Sequence, residues 1–168
     1  MERTDLAYMA GIVDGEGFIG IDSCCKRKNK PSAYQLRVGV VNTNRELLEW
    51  IKENFEGSVS SRGKPTSIKH KQSYQWRVEA KKAGKLLRLI RPYLIIKREQ
   101  ANIGLEFRAT YEKMKGVLYT HRNGRFINTI INPKVIPLRE QLRERILQLN
   151  RRGVNANQET RTAHANRK

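Results

Sequence analysis

The stretch LAYMAGIVDGEG, residues 6–17, constrains this chain more than any other segment. Its body reads as a helix over residues 6–13, capped by Thr4 or Asp5 and stopped by the glycines at 15 and 17. Helices approach one another closely only where side chains are small, and Ala7, Ala10 and Gly11 leave one side of this helix nearly flat. A partner helix packed there would bring Asp14 and Glu16 of both helices to one place. Carboxylates gathered in this way repel unless cations intervene, and hard divalent ions such as Mg²⁺ take oxygen ligands. One segment therefore predicts two things, a helix–helix interface formed by Ala7, Ala10, Gly11 and Asp14, and a metal site at its end.

Beyond this helix the apolar residues alternate. Residues 18–25 and 34–42 place Ile19 and Ile21, then Leu36, Val38 and Val40, on one side, which reads as two antiparallel strands with one buried face. The basic loop KRKNKPS joins them. Asn42 or Asn44 caps a helix over RELLEWIKENF, with Leu47, Leu48, Ile51 and Phe55 at helical spacing. A short strand from Ser58 leads through the turn RGKPT into a longer strand over residues 67–80, where Tyr74, Trp76 and Val78 point inward. Helices are predicted over 83–90 and 98–111, giving the order αββαββαα. LYTHRNGRF reads as a loop turning at Asn-Gly, and a last helix covers 137–149. The expected architecture is α+β, one domain over residues 1–150, with a basic, flexible tail over 151–168. No second copy of the first helix occurs downstream.

Charge identifies the partner class. Thirty-four Lys and Arg stand against sixteen Asp and Glu, a net +18 over 168 residues. A compact chain this basic repels itself, and a polyanion relieves that repulsion, because each neutralised phosphate releases condensed counterions. No run approaches the roughly 18 apolar residues of a spanning helix, so no membrane partner is expected. Acids inside the first apolar run argue against a signal peptide. The expectation is an intracellular protein, in cytoplasm, nucleoid or an organelle, and not a secreted one. Cys24 and Cys25 are adjacent and point to opposite faces of a strand, which disfavours an internal bridge, and no Cys/His spacing suggests zinc. His70, His121 and His164 are scattered and read as surface residues.

Residues 8–17, YMAGIVDGEG, resemble the LAGLIDADG motif of homing endonucleases. The resemblance extends to Gln35-Leu36, Trp50, PYL at 92–94 and KREQAN at 97–102, so it covers about residues 5–112. It implies an αββαββα fold whose four-stranded antiparallel sheet binds DNA, followed by C-terminal helices. It also implies a site-specific, Mg²⁺-dependent double-strand endonuclease that cuts a long, roughly palindromic target. With one motif per chain, the working unit is a homodimer. The motif's last acid, here Glu16 where Asp is familiar, is the implied metal ligand, with the Gly15 carbonyl beside it. Glutamate reaches about 1.5 Å further than aspartate. Asn44 matches a polar residue that orients water near the metals, or else serves only as a helix cap. Lys97 matches a lysine beside the scissile phosphates. A basic residue frequent in the family on the helix after the second strand is missing, because Leu48 stands there; Arg45 is the candidate replacement.

The outward side of the strands is basic and amide-rich, and Arg pairs with guanine edges and Gln with adenine. The candidate DNA contacts are Gly20, Asp22, Cys24, Lys26 and Lys28 on the first strand and its loop, and Gln35, Arg37, Gly39 and Val41 on the second. Ser60 and Arg62, then Lys69, Lys71, Ser73, Gln75 and Arg77, complete the surface. A strand of about eight residues spans about 26 Å, roughly eight base pairs. Two other functions fit the same resemblance. One is a maturase with an intron RNA as partner; the other is a non-catalytic DNA-binding regulator, which would be expected to lack the motif acid.

Overall fold

The computed structural model describes residues 2–25, 33–63, 71–113, 119–122, 125–128 and 135–165. Helix α1 (Arg3–Glu16) passes directly into β1 (Gly17–Cys25), which turns back as β2 (Ala33–Asn42). Helix α2 (Arg45–Phe55) leads to β3 (Ser58–Ser61) and β4 (Tyr74–Glu79). Helix α3 (Ala80–Ile90), a 3₁₀ turn (Arg91–Tyr93) and α4 (Arg98–Lys113) come next, then β5 (Tyr119–Arg122), β6 (Arg125–Asn128) and α5 (Ile136–Ala165). The first four strands form one antiparallel sheet, as the resemblance implied, in the order β1-β2-β4-β3.

Period-two alternation gives this sheet one apolar face. Ile19, Ile21, Leu36, Val38, Val40, Trp76 and Val78 are all buried there. The helices cover that face with Met9 and Val13 of α1, Leu48 and Ile51 of α2, Leu87 and Ile90 of α3, and Ile103 and Phe107 of α4. Among the described residues the opposite face carries no helix residues of this core. Helix α5 closes the side of β1. Arg139 is 5% exposed, its guanidinium lies 4.3 and 4.4 Å from the ring centroids of Phe107 and Tyr111, and it donates to the Tyr34 carbonyl at 2.9 Å. The Asn150 amide reaches the Ile19 carbonyl on the outer edge of β1 at 3.2 Å, which satisfies an edge acceptor that could otherwise pair with another strand.

Several boundaries differ from the sequence expectation. Helix α1 begins earlier, with Glu2 as N-cap in a capping box with Asp5, and runs through Gly15 to Glu16. Strand β4 is shorter than expected; Lys71 and Ser73 precede it, and residues 64–70 lie outside the described residues. It enters α3 without a loop, through a positive φ of 52° at Ala80. The LYTHRNGRF segment overlaps two paired strands, β5 and β6, whose pairing runs from Tyr119↔Asn128 to Arg122↔Arg125. The helix α5 continues into the segment expected to be a tail, because a helical backbone needs no apolar stripe and residues 151–165 contain no proline. Among the described residues no helix is long and apolar enough to cross a membrane.

Candidate active site and nucleic-acid interface

Helix α1 has one buried side and one exposed side. Met9, Ala10 and Val13 are buried in the core, while Thr4, Ala7, Tyr8, Gly11 and Gly15 are exposed. Ala10 therefore faces the chain's own interior and does not belong to the flat stripe that the sequence suggested. The stripe is instead Ala7, Gly11 and Gly15. A methyl group placed on Gly11 or Gly15 would meet no atom within 4 Å, so nothing within the chain demands a glycine at either place.

At the end of this helix the two acids have different surroundings. Asp14 Oδ2 accepts the backbone N–H groups of Ile95 (2.7 Å) and Ile96 (3.2 Å), and its Oδ1 accepts that of Lys97 (2.9 Å). Ala101 N–H in turn bonds the Lys97 carbonyl at 3.0 Å, so the carboxylate sits at the N-terminal end of α4, where the helix dipole favours it. The Lys97 ammonium donates to the Asp14 carbonyl. Asp14 thereby fastens residues 95–97 to α1 and places Lys97 beside the acidic end. Replacing Asp14 by Ala removes three anionic hydrogen bonds at a partly exposed site, and a loss of about 1–3 kcal/mol is expected in denaturant unfolding. An unchanged midpoint would contradict this structural role.

Glu16, the last residue of α1, is exposed and has no hydrogen-bond or ion-pair partner among the described residues. The Gly15 carbonyl beside it is one of the last four of the helix, which have no partner within it. Gly17 makes the passage into the sheet possible, because a Cβ there would lie 2.7 Å from the Val13 backbone and 3.1 Å from the Gly39 carbonyl. Among the described residues no three His, Cys, Asp or Glu side chains come together as a metal-binding group. One chain therefore brings a single unengaged carboxylate to this end. Asn44 caps α2, its side-chain oxygen accepting Leu47 N–H at 3.1 Å. The neighbouring Asn42, not singled out as a site residue, accepts Asn44 N–H at 2.8 Å where β2 ends. Arg45 is held on α2 by Glu49 (3.3 Å) and lies 5.6 Å over the Tyr74 ring.

Around the same end stand three exposed large apolar residues that the sequence reading missed, Tyr8 at 56%, Ile95 at 82% and Ile96 at 71%. Tyr8 packs edge-on against Trp50, with ring centroids 5.2 Å apart. The Asp14 hydrogen bonds place the backbone of Ile95 and Ile96 beside the end of α1, while Tyr8 lies on α1 itself, next to Ala7.

The open face of the sheet is ordered in cross-strand rows. Asp22 pairs with Gln35; Gly20, Arg37 and Glu79 form the next row; Phe18, Gly39, Arg77 and Ser58 the next; Val41, Gln75 and Ser60 the last. Exposed Arg62 bonds the Ser73 carbonyl through its backbone N–H at 3.0 Å. The candidate readers Asp22, Gln35, Arg37, Val41, Ser60, Gln75 and Arg77 thus share one surface. A bulge between Ser23 and Cys25 interrupts the alternation at Cys24. Lys26, Lys28 and Lys69 lie outside the described residues. Gly39 is not available as a reader, because the Phe18 ring lies over it, 2.5 Å from where a Cβ would be. The face is also less uniformly basic than expected. Arg37 contacts Asp22 (3.2 Å) and Glu79 (3.0 Å), Arg77 contacts Glu79 (3.0 Å), and Gln35 donates to Glu79 (3.1 Å).

At the level of sequence, no family model and no curated protein matches the chain. Solved structures do. The structure of I-CvuI in complex with its target aligns over 88% of this chain and 82% of that one, with a TM-score of 0.68 and 20% identity. The archaeal intron-encoded homing endonuclease I-Vdi141I, complexed with DNA, aligns over 89% and 86%, with a TM-score of 0.64 and 18% identity. The fold is that of the LAGLIDADG homing endonucleases. I-GzeII, a LAGLIDADG homing endonuclease in complex with a DNA target, aligns over 82% of this chain but only 43% of its own length, at a TM-score of 0.59 and 17% identity. Within this LAGLIDADG fold, residues 8–16 of the YMAGIVDGEG segment form the second half of α1 and Gly17 begins β1.

Proposed function

We propose that this chain is a site-specific, divalent-metal-dependent DNA endonuclease that acts as a homodimer on a long, roughly palindromic duplex. The observation that carries the reading is the Glu16 carboxylate beside the Gly15 carbonyl, neither with a partner among the described residues, at the end of a helix whose glycines would meet none of those residues if given a Cβ. These donors suit the proposed Mg²⁺, since all are oxygen and Glu16 is not consumed by an internal ion pair. A bound divalent ion supplies Lewis-acid stabilisation of a phosphate oxygen and a water of lowered pKa.

The chain's own residues perform the remaining tasks. The stripe and the apolar patch of Tyr8, Ile95 and Ile96 support a two-fold contact that brings two Glu16 carboxylates together. Asp14 is spent on the three amides of residues 95–97, so it holds the interface end in shape and leaves metal binding to Glu16. Lys97, fixed by that arrangement, offers an ammonium to the negative charge that develops on the phosphate. Asn44 caps α2 through its side-chain oxygen, which leaves its amide nitrogen for the water-orienting role that the resemblance implies. The sheet face lies along the major groove and reads bases, while the charge of +18 supplies sequence-independent attraction to phosphates. That I-GzeII holds the matched region within 43% of its length supports a working unit larger than one such chain.

Incubation with a library of random duplexes in Mg²⁺ or in EDTA tests the reading. Discrete cuts in Mg²⁺ that vanish in EDTA are expected. Metal-independent cuts, or none, would count against it.

A further inference from the structure

Two carboxylates, Asp22 and Glu79, stand on a face proposed to meet DNA, where they pair with arginines that could contact phosphate. Glu79 is the more instructive. It occupies the N-cap position of α3, where an acidic side chain ordinarily bonds the first amides of the helix, yet it makes no such bond. Its carboxylate turns instead across the sheet. One oxygen lies 3.0 Å from both Arg37 Nε and Arg77 Nε, and the other accepts the Gln35 amide at 3.1 Å. The left-handed Ala80, at φ 52°, comes immediately after it, so a conformation unfavourable for an L-residue is maintained at the point that aims this side chain.

The two arginines are left in different states. Arg37 has carboxylates on both sides: one terminal nitrogen donates to Asp22, and Nε lies 3.0 Å from Glu79 in a charge contact without hydrogen-bond geometry, and its side chain is 24% exposed. Arg77 is 45% exposed and meets Glu79 only at Nε, so among the described residues its two terminal nitrogens, the fork of the guanidinium, have no partner. A guanidinium fork of this kind matches the O6 and N7 acceptors of guanine.

We propose that Glu79 is a positioning residue for base recognition: it orients Arg77 to read a guanine in each half-site, while Arg37 serves as the strut that holds Glu79. The assignment rests on the endonuclease reading. It distinguishes two residues that the sequence treats alike, because Arg37 and Arg77 both alternate onto the outward face.

Selection of bound sequences from randomised duplexes tests it, comparing the natural chain with Glu79→Gln and Arg77→Lys. Glutamine preserves size and removes the charge; lysine preserves charge and removes the fork. Both variants are expected to lose preference at the same guanine position in each half-site, by roughly tenfold or more, while preferences elsewhere persist. Affinity of Glu79→Gln for unrelated duplex should not fall, since the face becomes more positive. Preference lost at different positions by the two variants, or an unfolding midpoint that drops in Glu79→Gln while base preference is unchanged, would overturn the assignment. Should Glu79→Gln fail to fold, Arg77→Lys decides alone: retained guanine preference overturns it. A natural chain that enriches no sequence overturns the endonuclease reading, and this inference with it.

Discussion

Replacing Glu16 by Gln is expected to abolish DNA cutting while target binding survives. The two side chains have the same shape, and Glu16 makes no hydrogen bond or ion pair among the described residues, so the fold should not register the change. What changes is a charged oxygen ligand for a hard cation. Loss of several kcal/mol of metal-assisted stabilisation corresponds to a fall on the order of 10³-fold or more in cutting rate. Binding rests on the sheet and the basic surface, and removing a negative charge near phosphates leaves it unchanged or slightly tighter. Single-turnover cutting assays and mobility shifts on the same duplex measure both. A Glu16→Gln protein that cuts at the natural rate would remove the metal assignment.

The second large effect comes from a residue far less conspicuous. Gly11 lies mid-helix, where glycine is costly, and no atom within 4 Å of a Cβ explains it. Within one chain, Gly11→Leu should therefore stabilise the fold by about 0.5–1 kcal/mol through helix propensity alone. In a dimer that closes on the Ala7–Gly11–Gly15 stripe, the same leucine is inserted twice into a close helix contact. Overpacking of about 1–3 kcal/mol on each side separates the subunits and lowers cutting by about a hundredfold or more. Opposite signs are the signature: a higher unfolding midpoint with lost activity and a smaller sedimenting species. If Gly11→Leu keeps full activity, the stripe is not the interface.

What could be read from the sequence was what depends on local period. The inward sets of β1, β2 and β4, the apolar face of α2 and the acidic end of α1 are all set by spacing alone. Ala10 was misplaced because three residues turn a helix by about 300°, which puts Ala7 and Ala10 about 60° apart, one on each side of a boundary that size alone does not reveal. Asn44 carried two readings, and the Leu47 hydrogen bond establishes its cap while leaving the other reading open to test. Phe18 over Gly39 and Glu79 beside Arg37 depend on strand register, because the partners are 21 and 42 residues apart in sequence and meet only once β1, β2 and β4 are aligned. Ile95 and Ile96 sit between helices, where no periodicity assigns a side chain to either face. The hairpin β5–β6 had a signal in its Asn-Gly turn, but four-residue strands are too short for alternation to stand out.

The homodimeric metal-dependent nuclease is tested most directly by mapping, at single-nucleotide resolution, where each strand of a selected target is cut in Mg²⁺. Two Glu16 sites related by a two-fold axis predict one cut on each strand, at positions symmetric about the centre of the palindrome and facing each other across the minor groove. Cuts confined to one strand, or placed without a common centre of symmetry, would contradict it.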